Sequence, residues 1–79
     1  MRRVEVIVAT GCTLCPAALE AVRTALQGRD DVDLQVIEID GDLQLEFRYR
    51  SAIPVVLVDG VEVARYAITV GELRARLDV

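Results

Sequence analysis

Cys12 and Cys15 are the only thiols in the chain, and they stand as Cys12-Thr13-Leu14-Cys15. Sulfur offers three kinds of chemistry at this spacing. A thiolate attacks disulfides, two thiols this close can join each other, and the same pair is half of a soft-metal site. The chain has no His. That removes a Cys-His catalytic pair, a His general base and a His metal ligand. An inert stabilising disulfide is the plain alternative, but so short a loop constrains the unfolded chain little.

The pair needs a strand to deliver it and a helix to hold it. Arg3 to Ala9 is β-branched and nearly continuously apolar, which predicts a central strand covered on both faces. Cys12 to Gln27 predicts a helix. Cys15, Leu19, Val22 and Leu26 recur at i, i+4, i+7 and i+11, Pro16 sits early in the run, and Gly28 stops it. This places Cys12 at the cap, off the apolar stripe, where helix N–H groups favour a thiolate. Cys15 lies on the stripe and is expected to be sheltered. The roles that follow are attacking thiol for Cys12 and resolving thiol for Cys15.

The rest of the chain alternates in kind. Val32 to Ile39 predicts a second strand, ended by Asp40-Gly41-Asp42. Leu43 to Arg50 alternates strictly with period two, yet carries Leu43–Phe47 and Leu45–Tyr49 at helical spacing behind an Asp42 cap. Val55–Val58 and Val61–Arg65 flank Asp59-Gly60, a strong hairpin signal. Thr69 to Leu77 predicts a last helix, with Thr69 and Glu72 as a capping box and Ile68 and Leu73 as a hydrophobic staple. Glu5, in the first strand, is assigned to a sheet edge or to solvent rather than to a proton-accepting role beside Cys15.

Composition narrows the function classes. At 79 residues and 53% hydrophobic, the chain is one folded domain, 1–79, with a modest core. All nine basic residues are Arg, the formal charge is -4, and no basic stripe appears, so nucleic acid is not an expected partner. No segment has the roughly 20 apolar residues of a membrane span. Met1-Arg2-Arg3 before an apolar run mimics a signal peptide, but Glu5 interrupts it, and it is taken as the first strand. A cytoplasmic location is the default. In a reducing compartment, a close Cys pair points to catalysis, redox sensing or metal binding.

Gly11-Cys12-Thr13-Leu14-Cys15 between a strand and a helix, with Ile53-Pro54 opening a hairpin about 40 residues later, resembles the thioredoxin-fold superfamily. Over nearly its whole length the chain is similar to small glutaredoxin-like proteins. The resemblance implies an α/β fold, β-α-β-α-β-β-α, with a four-stranded mixed sheet and helices on both faces. It resolves Asp42 to Arg50 as a helix. It implies a cis Ile53-Pro54 bond beside the sulfurs, with Ile53 and Pro54 as a substrate platform, and Thr13 and Leu14 shaping access. It implies a thiol-disulfide oxidoreductase, expected to be monomeric, acting on protein or small disulfides. Electrons would come from a reductase or a thiol pool. No bound cofactor or metal is implied, with glutathione a candidate thiol donor. Three features depart from the pattern. No Lys precedes Cys12, Arg65-Tyr66-Ala67-Ile68 replaces a Gly-Gly, and no aromatic stands between the cysteines. Tyr49 and Tyr66 are assigned to packing at the core edge, and Arg48, Arg50 and Arg65 to a solvated surface.

Two alternatives stay open at this level. The Cys loop also resembles that of heavy-metal-associated domains, whose β-α-β-β-α-β order would make Leu43 to Arg50 a strand and bind soft Cu(I). Against it, Thr10 stands where those domains carry Met, and the segment after Ile53 has hairpin signals. The other alternative is a regulatory domain whose Cys pair senses redox state.

Overall fold

A computed structural model describes residues 1–78; Val79, the last residue of the expected domain, lies outside them. The elements are β1 (Arg2–Val8), α1 (Cys15–Leu26), β2 (Val32–Glu38), α2 (Leu43–Tyr49), β3 (Val55–Val58), β4 (Val61–Arg65) and α3 (Val70–Leu77). They form one mixed sheet in the order β2-β1-β3-β4. β1 pairs parallel with β2 and antiparallel with β3, and β3 pairs antiparallel with β4. The β1-α1-β2 crossover supplies the parallel pair, and the hairpin supplies the antiparallel one.

β1 is interior, and both its faces are covered. Val4, Val6 and Val8 join Ala18, Val22 and Ala25 of α1 and Leu73 and Leu77 of α3 in one core cluster. Ile7, on the opposite face, joins Ile39, Ala52 and Val55, with Leu45 and Tyr49 of α2 packed against them. The continuous apolar run of β1 therefore feeds two cores, with α1 and α3 on one face of the sheet and α2 on the other.

The face of Glu5 is settled by the same alternation. It stands on the interior strand, on the α2 face with Ile7, half-buried and 3.4 Å from Arg3. It is neither at a sheet edge nor on the Cys15 side. β2 alternates in the same way, but its two faces are covered unequally along its length. Val32 and Leu34 pack toward α1, but Val36 is exposed, and Ile37 packs toward the α2 core. β2 is an edge strand paired to β1 in unbroken register, so Val36 shares the face of Val32 and Leu34, and Ile37 lies on the opposite one.

α2 is a helix despite its period-two letters. The Asp42 carboxylate accepts from the N–H groups of Gln44 and Leu45 and so caps the first turn. Leu45 and Tyr49 pack inward, while Leu43 and Phe47, the other pair at helical spacing, face solvent. α3 begins as expected. Thr69 Oγ1 accepts from Glu72 N–H, Glu72 Oε1 accepts from Thr69 N–H, and Ile68 and Leu73 are both buried in the α1-side core.

Asp59 and Gly60 both take positive φ, 50° and 83°, as a two-residue type I′ hairpin turn requires. The Asp59 carboxylate turns back across the sheet and accepts from Arg3 N–H at 2.8 Å and from Arg2 Nε at 2.6 Å. Arg2 Nη1 also donates to the Leu77 carbonyl at 3.0 Å, so β1, the hairpin and α3 are tied at one point. The Arg3 N–H first, then Arg2, hold the Asp59 carboxyl below the usual carboxylate range. A depressed folded value means stabilisation that is present above the ordinary carboxylate pKa and lost as pH falls through the depressed one. Asn tolerates the left-handed turn, so Asp59→Asn isolates the charge. The variant is expected to be less stable than wild type at pH 7, and the gap is expected to close below about pH 4. Urea midpoints across that range check it; a gap independent of pH would remove the charge from the account.

Candidate dithiol site

The first strand ends at Val8, and the chain turns sharply before α1. Cys12 N–H donates to Ala9 O at 3.3 Å, and Gly11 between them adopts φ 81°, a left-handed geometry that suits Gly. α1 begins at Cys15, not at Cys12 as the apolar stripe suggested. Leu14 is the N-cap, with no side-chain cap, and Pro16 occupies the first turn, where its missing N–H costs nothing. Cys12 therefore lies two residues outside the cap, in the turn, and Cys15 is the first helical residue.

This offset separates the two sulfurs by exposure. Cys15 is 5% exposed and belongs to the α1-side core with Val8, Val56 and Ile68. Cys12 is half-buried and packs against the rim of that core, while Thr13 and Leu14 are exposed. The two sulfurs are joined as a disulfide, with a Cα–Cα distance of 5.5 Å. That span is normal for the bond. The pair thus closes within an otherwise ordinary turn.

Ile53 and Pro54 arrive from the other direction. The β1–β3 register sets Ile7 opposite Val55, so β3 starts at the end of the sheet where β1 stops and the cysteine turn begins. The Ile53-Pro54 bond is cis and Pro54 is fully buried. The Pro54 carbonyl accepts from Tyr66 N–H at 2.8 Å. The N–H and C=O of Ile53 make no hydrogen bond among the described residues. All six expected site residues therefore lie at one end of the sheet: Cys12, Cys15, Thr13 and Leu14 on one turn, and Ile53 and Pro54 at the facing strand start.

Two residues at this end were not assigned to it from sequence. The Asp40 carboxylate accepts from both Thr10 N–H, at 2.9 Å, and Thr10 Oγ1, at 3.1 Å. It pins the start of the cysteine turn to the end of β2. In the sequence Asp40 signalled only a strand end, and nothing local pairs it with a residue 30 positions earlier. Tyr66 is the second. It is 49% exposed rather than packed at a core edge, its backbone φ is 69°, and its hydroxyl donates to Ser51 O at 2.9 Å.

A cavity of about 460 Å³ lies between α2 and the hairpin, lined by Arg48, Tyr49, Leu57, Gly60, Glu62 and Arg65. Another of about 270 Å³ is lined by Arg2, Val58, Asp59, Val61, Val63 and Arg76 at the far end of the sheet. Neither includes a cysteine or Pro54.

A mixed sheet with helices on both faces, a disulfide-forming Cys-x-x-Cys pair after β1 and a cis-Pro before β3 define a thioredoxin-type protein. Comparison with known proteins gives the family. Residues 3–78 match the model of the Glutaredoxin-like domain (DUF836), and the chain belongs to that family. Among solved structures, protein XcR50 from X. campestris is 30% identical, with 95% of each chain covered and a TM-score of 0.78. Protein Ne2328 from Nitrosomonas europaea is 28% identical over 95% of this chain and 89% of its own, with a TM-score of 0.74. Thioredoxin 1 from Thermosipho africanus, 20% identical over 96% and 94% with a TM-score of 0.60, shares the fold. No protein of curated function matches the sequence significantly. The β-α-β-β-α-β order of the heavy-metal-associated alternative is not that of this chain, because Leu43–Tyr49 is helical and a hairpin follows Pro54.

Proposed function

We propose that the protein is a thiol-disulfide oxidoreductase in which Cys12 attacks and Cys15 resolves. The observation that carries this reading is the unequal exposure of two sulfurs already joined as a disulfide at the head of α1. In the reduced form the Cys12 thiolate attacks one sulfur of a substrate disulfide. A Cys12–substrate bond forms, the substrate S–S bond breaks, and one substrate thiolate leaves and takes a proton from water. Cys15 then gives up its proton and attacks the Cys12 sulfur. The Cys12–Cys15 disulfide forms, and the second substrate thiolate leaves. Two electrons have passed from the pair to the substrate.

The fold favours each step in a specific way. The free N-terminal N–H groups of α1 lie beside the pair and stabilise negative charge on sulfur. Asp40 and Gly11 hold the turn, so the second attack is intramolecular and needs no search. Ile53 offers a free main-chain donor and acceptor to an extended substrate segment, while Thr13 and Leu14 border the approach. A monomer acting on protein or small disulfides, re-reduced by a reductase or by a thiol pool such as glutathione, completes the reading. Cytoplasmic action belongs to the same proposal. Among the described residues no helix is long and apolar enough to cross a membrane.

The test is direct. Reduced protein is expected to reduce insulin or a glutathione mixed disulfide catalytically. Its thiol state is expected to change across glutathione buffers spanning roughly -200 to -300 mV. Protein that does neither sinks the proposal.

A further inference from the structure

Tyr66 combines three observations that the oxidoreductase reading does not use. Its backbone adopts φ 69°, in the left-handed region, where an L side chain carries a steric cost that Gly would not. Its N–H donates to Pro54 O at 2.8 Å, and its hydroxyl donates to Ser51 O at 2.9 Å. Its ring is half exposed, so burial of the ring is a weak reason to keep it there. A strained residue persists when its surroundings over-determine it, and such residues gather at functional sites.

The two hydrogen bonds fall on either side of Ala52 and Ile53. The Ser51 carbonyl fixes the peptide plane entering Ala52, whose own N–H donates to Tyr49 O at 2.9 Å. The Pro54 carbonyl fixes the plane leaving the segment. Between them the N–H and C=O of Ile53 are left free among the described residues. One residue from the end of β4 thus holds both flanks of a segment that presents a free main-chain donor and acceptor among the described residues.

We propose that Tyr66 is a positioning residue that orients the Ile53 peptide groups for an extended polypeptide disulfide, and so sets a preference for polypeptide over small-molecule disulfides. This rests on the oxidoreductase reading. A substrate with main-chain groups gains from a fixed donor and acceptor, and a small disulfide without peptide groups does not.

Two variants separate position from bulk. Tyr66→Phe keeps the ring and the backbone and loses only the hydroxyl bond. Tyr66→Gly relaxes the backbone and loses the ring as well, so it folds if strain was the only concern. Both are expected to raise KM for insulin about five- to tenfold, the scale of one lost hydrogen bond, and to leave kcat unchanged. KM for bis(2-hydroxyethyl) disulfide is expected to stay within about twofold of wild type. Amide exchange of Ala52 is expected to quicken about five- to tenfold in Tyr66→Phe, with Val56 in the core unchanged. Equal KM changes for both substrates, a raised insulin KM without faster Ala52 exchange, or faster exchange without a KM change each overturn the proposal. Wild-type protein inert to both disulfides defeats the oxidoreductase reading and the substrate preference together. The exchange measurement then decides the positioning by itself.

Discussion

Cys12→Ser is expected to reduce disulfide turnover to the background rate, a loss of about three orders of magnitude or more. Cys15→Ser is expected to react once and stop, leaving substrate covalently attached to Cys12. The two outcomes differ because the sulfurs differ. Cys12 stands outside the helix on the turn and is less buried than Cys15. Cys15 is 5% exposed under that turn and can reach only a sulfur already bonded to Cys12. Without Cys15, the mixed disulfide has no intramolecular exit, and it breaks only when an external thiol arrives. Intact-mass spectrometry of each variant after incubation with excess disulfide reads the result. A trapped adduct on Cys12→Ser instead of on Cys15→Ser would reverse the roles and contradict the exposure argument.

The largest expected effect on stability is at Leu73. Leu73→Ala is expected to cost about 3 kcal/mol. A domain of this size has about 4–12 kcal/mol in all, at about 0.05–0.15 kcal/mol per residue. The midpoint of thermal unfolding is expected to fall by about 15 °C. Leu73 has no exposed surface, and it sits where α3 meets both α1 and the sheet, in one cluster with Val4, Val22 and Val58. It is also the inner half of the staple that fixes the entry of α3. Removing its side chain therefore leaves a void between three elements at once. Phe47→Ala makes the control. Phe47 is the only Phe of the chain and larger than Leu, but it is 92% exposed, and its truncation is expected to change stability by less than about 0.5 kcal/mol. Denaturant unfolding of the oxidised proteins checks both. A Leu73→Ala loss under about 1 kcal/mol would mean that the three elements close over the void.

The sequence was most legible where one local signal decided the structure. Asp59-Gly60 forced the hairpin, and Thr69 with Glu72 started α3, because turn and cap chemistry act over a few residues. β1 was readable as interior because both of its faces are apolar. α2 was legible only through resemblance, since Leu43 to Tyr49 alternates like a strand and is short for its helical spacing to prevail. Its Asp42 cap and the inward packing of Leu45 and Tyr49 settle the conformation. Within the candidate site, the cysteines were singled out by their spacing and Ile53-Pro54 through the family resemblance, and the structure sets both at one end of the sheet. The start of α1 was misplaced by three residues, because the stripe includes Cys15 but says nothing about the turn that Gly11 and the Cys12–Ala9 bond make. Asp40 and Tyr66 were not assignable to the site at all. Their partners, Thr10 and Ser51, lie 30 and 15 residues away, and only the closed sheet brings each pair into reach.

The bond from the Arg2 guanidinium to the Leu77 carbonyl, 3.0 Å long, brings the start of β1 and the end of α3 within one arginine side chain of each other. The cysteine turn lies at the other end of β1, a strand of seven residues, or about 23 Å at the usual rise. A short linker between the ends would therefore leave the redox end untouched, and new ends could be opened elsewhere in an exposed loop. The fold separates where the chain can be rewired from where its sulfurs react.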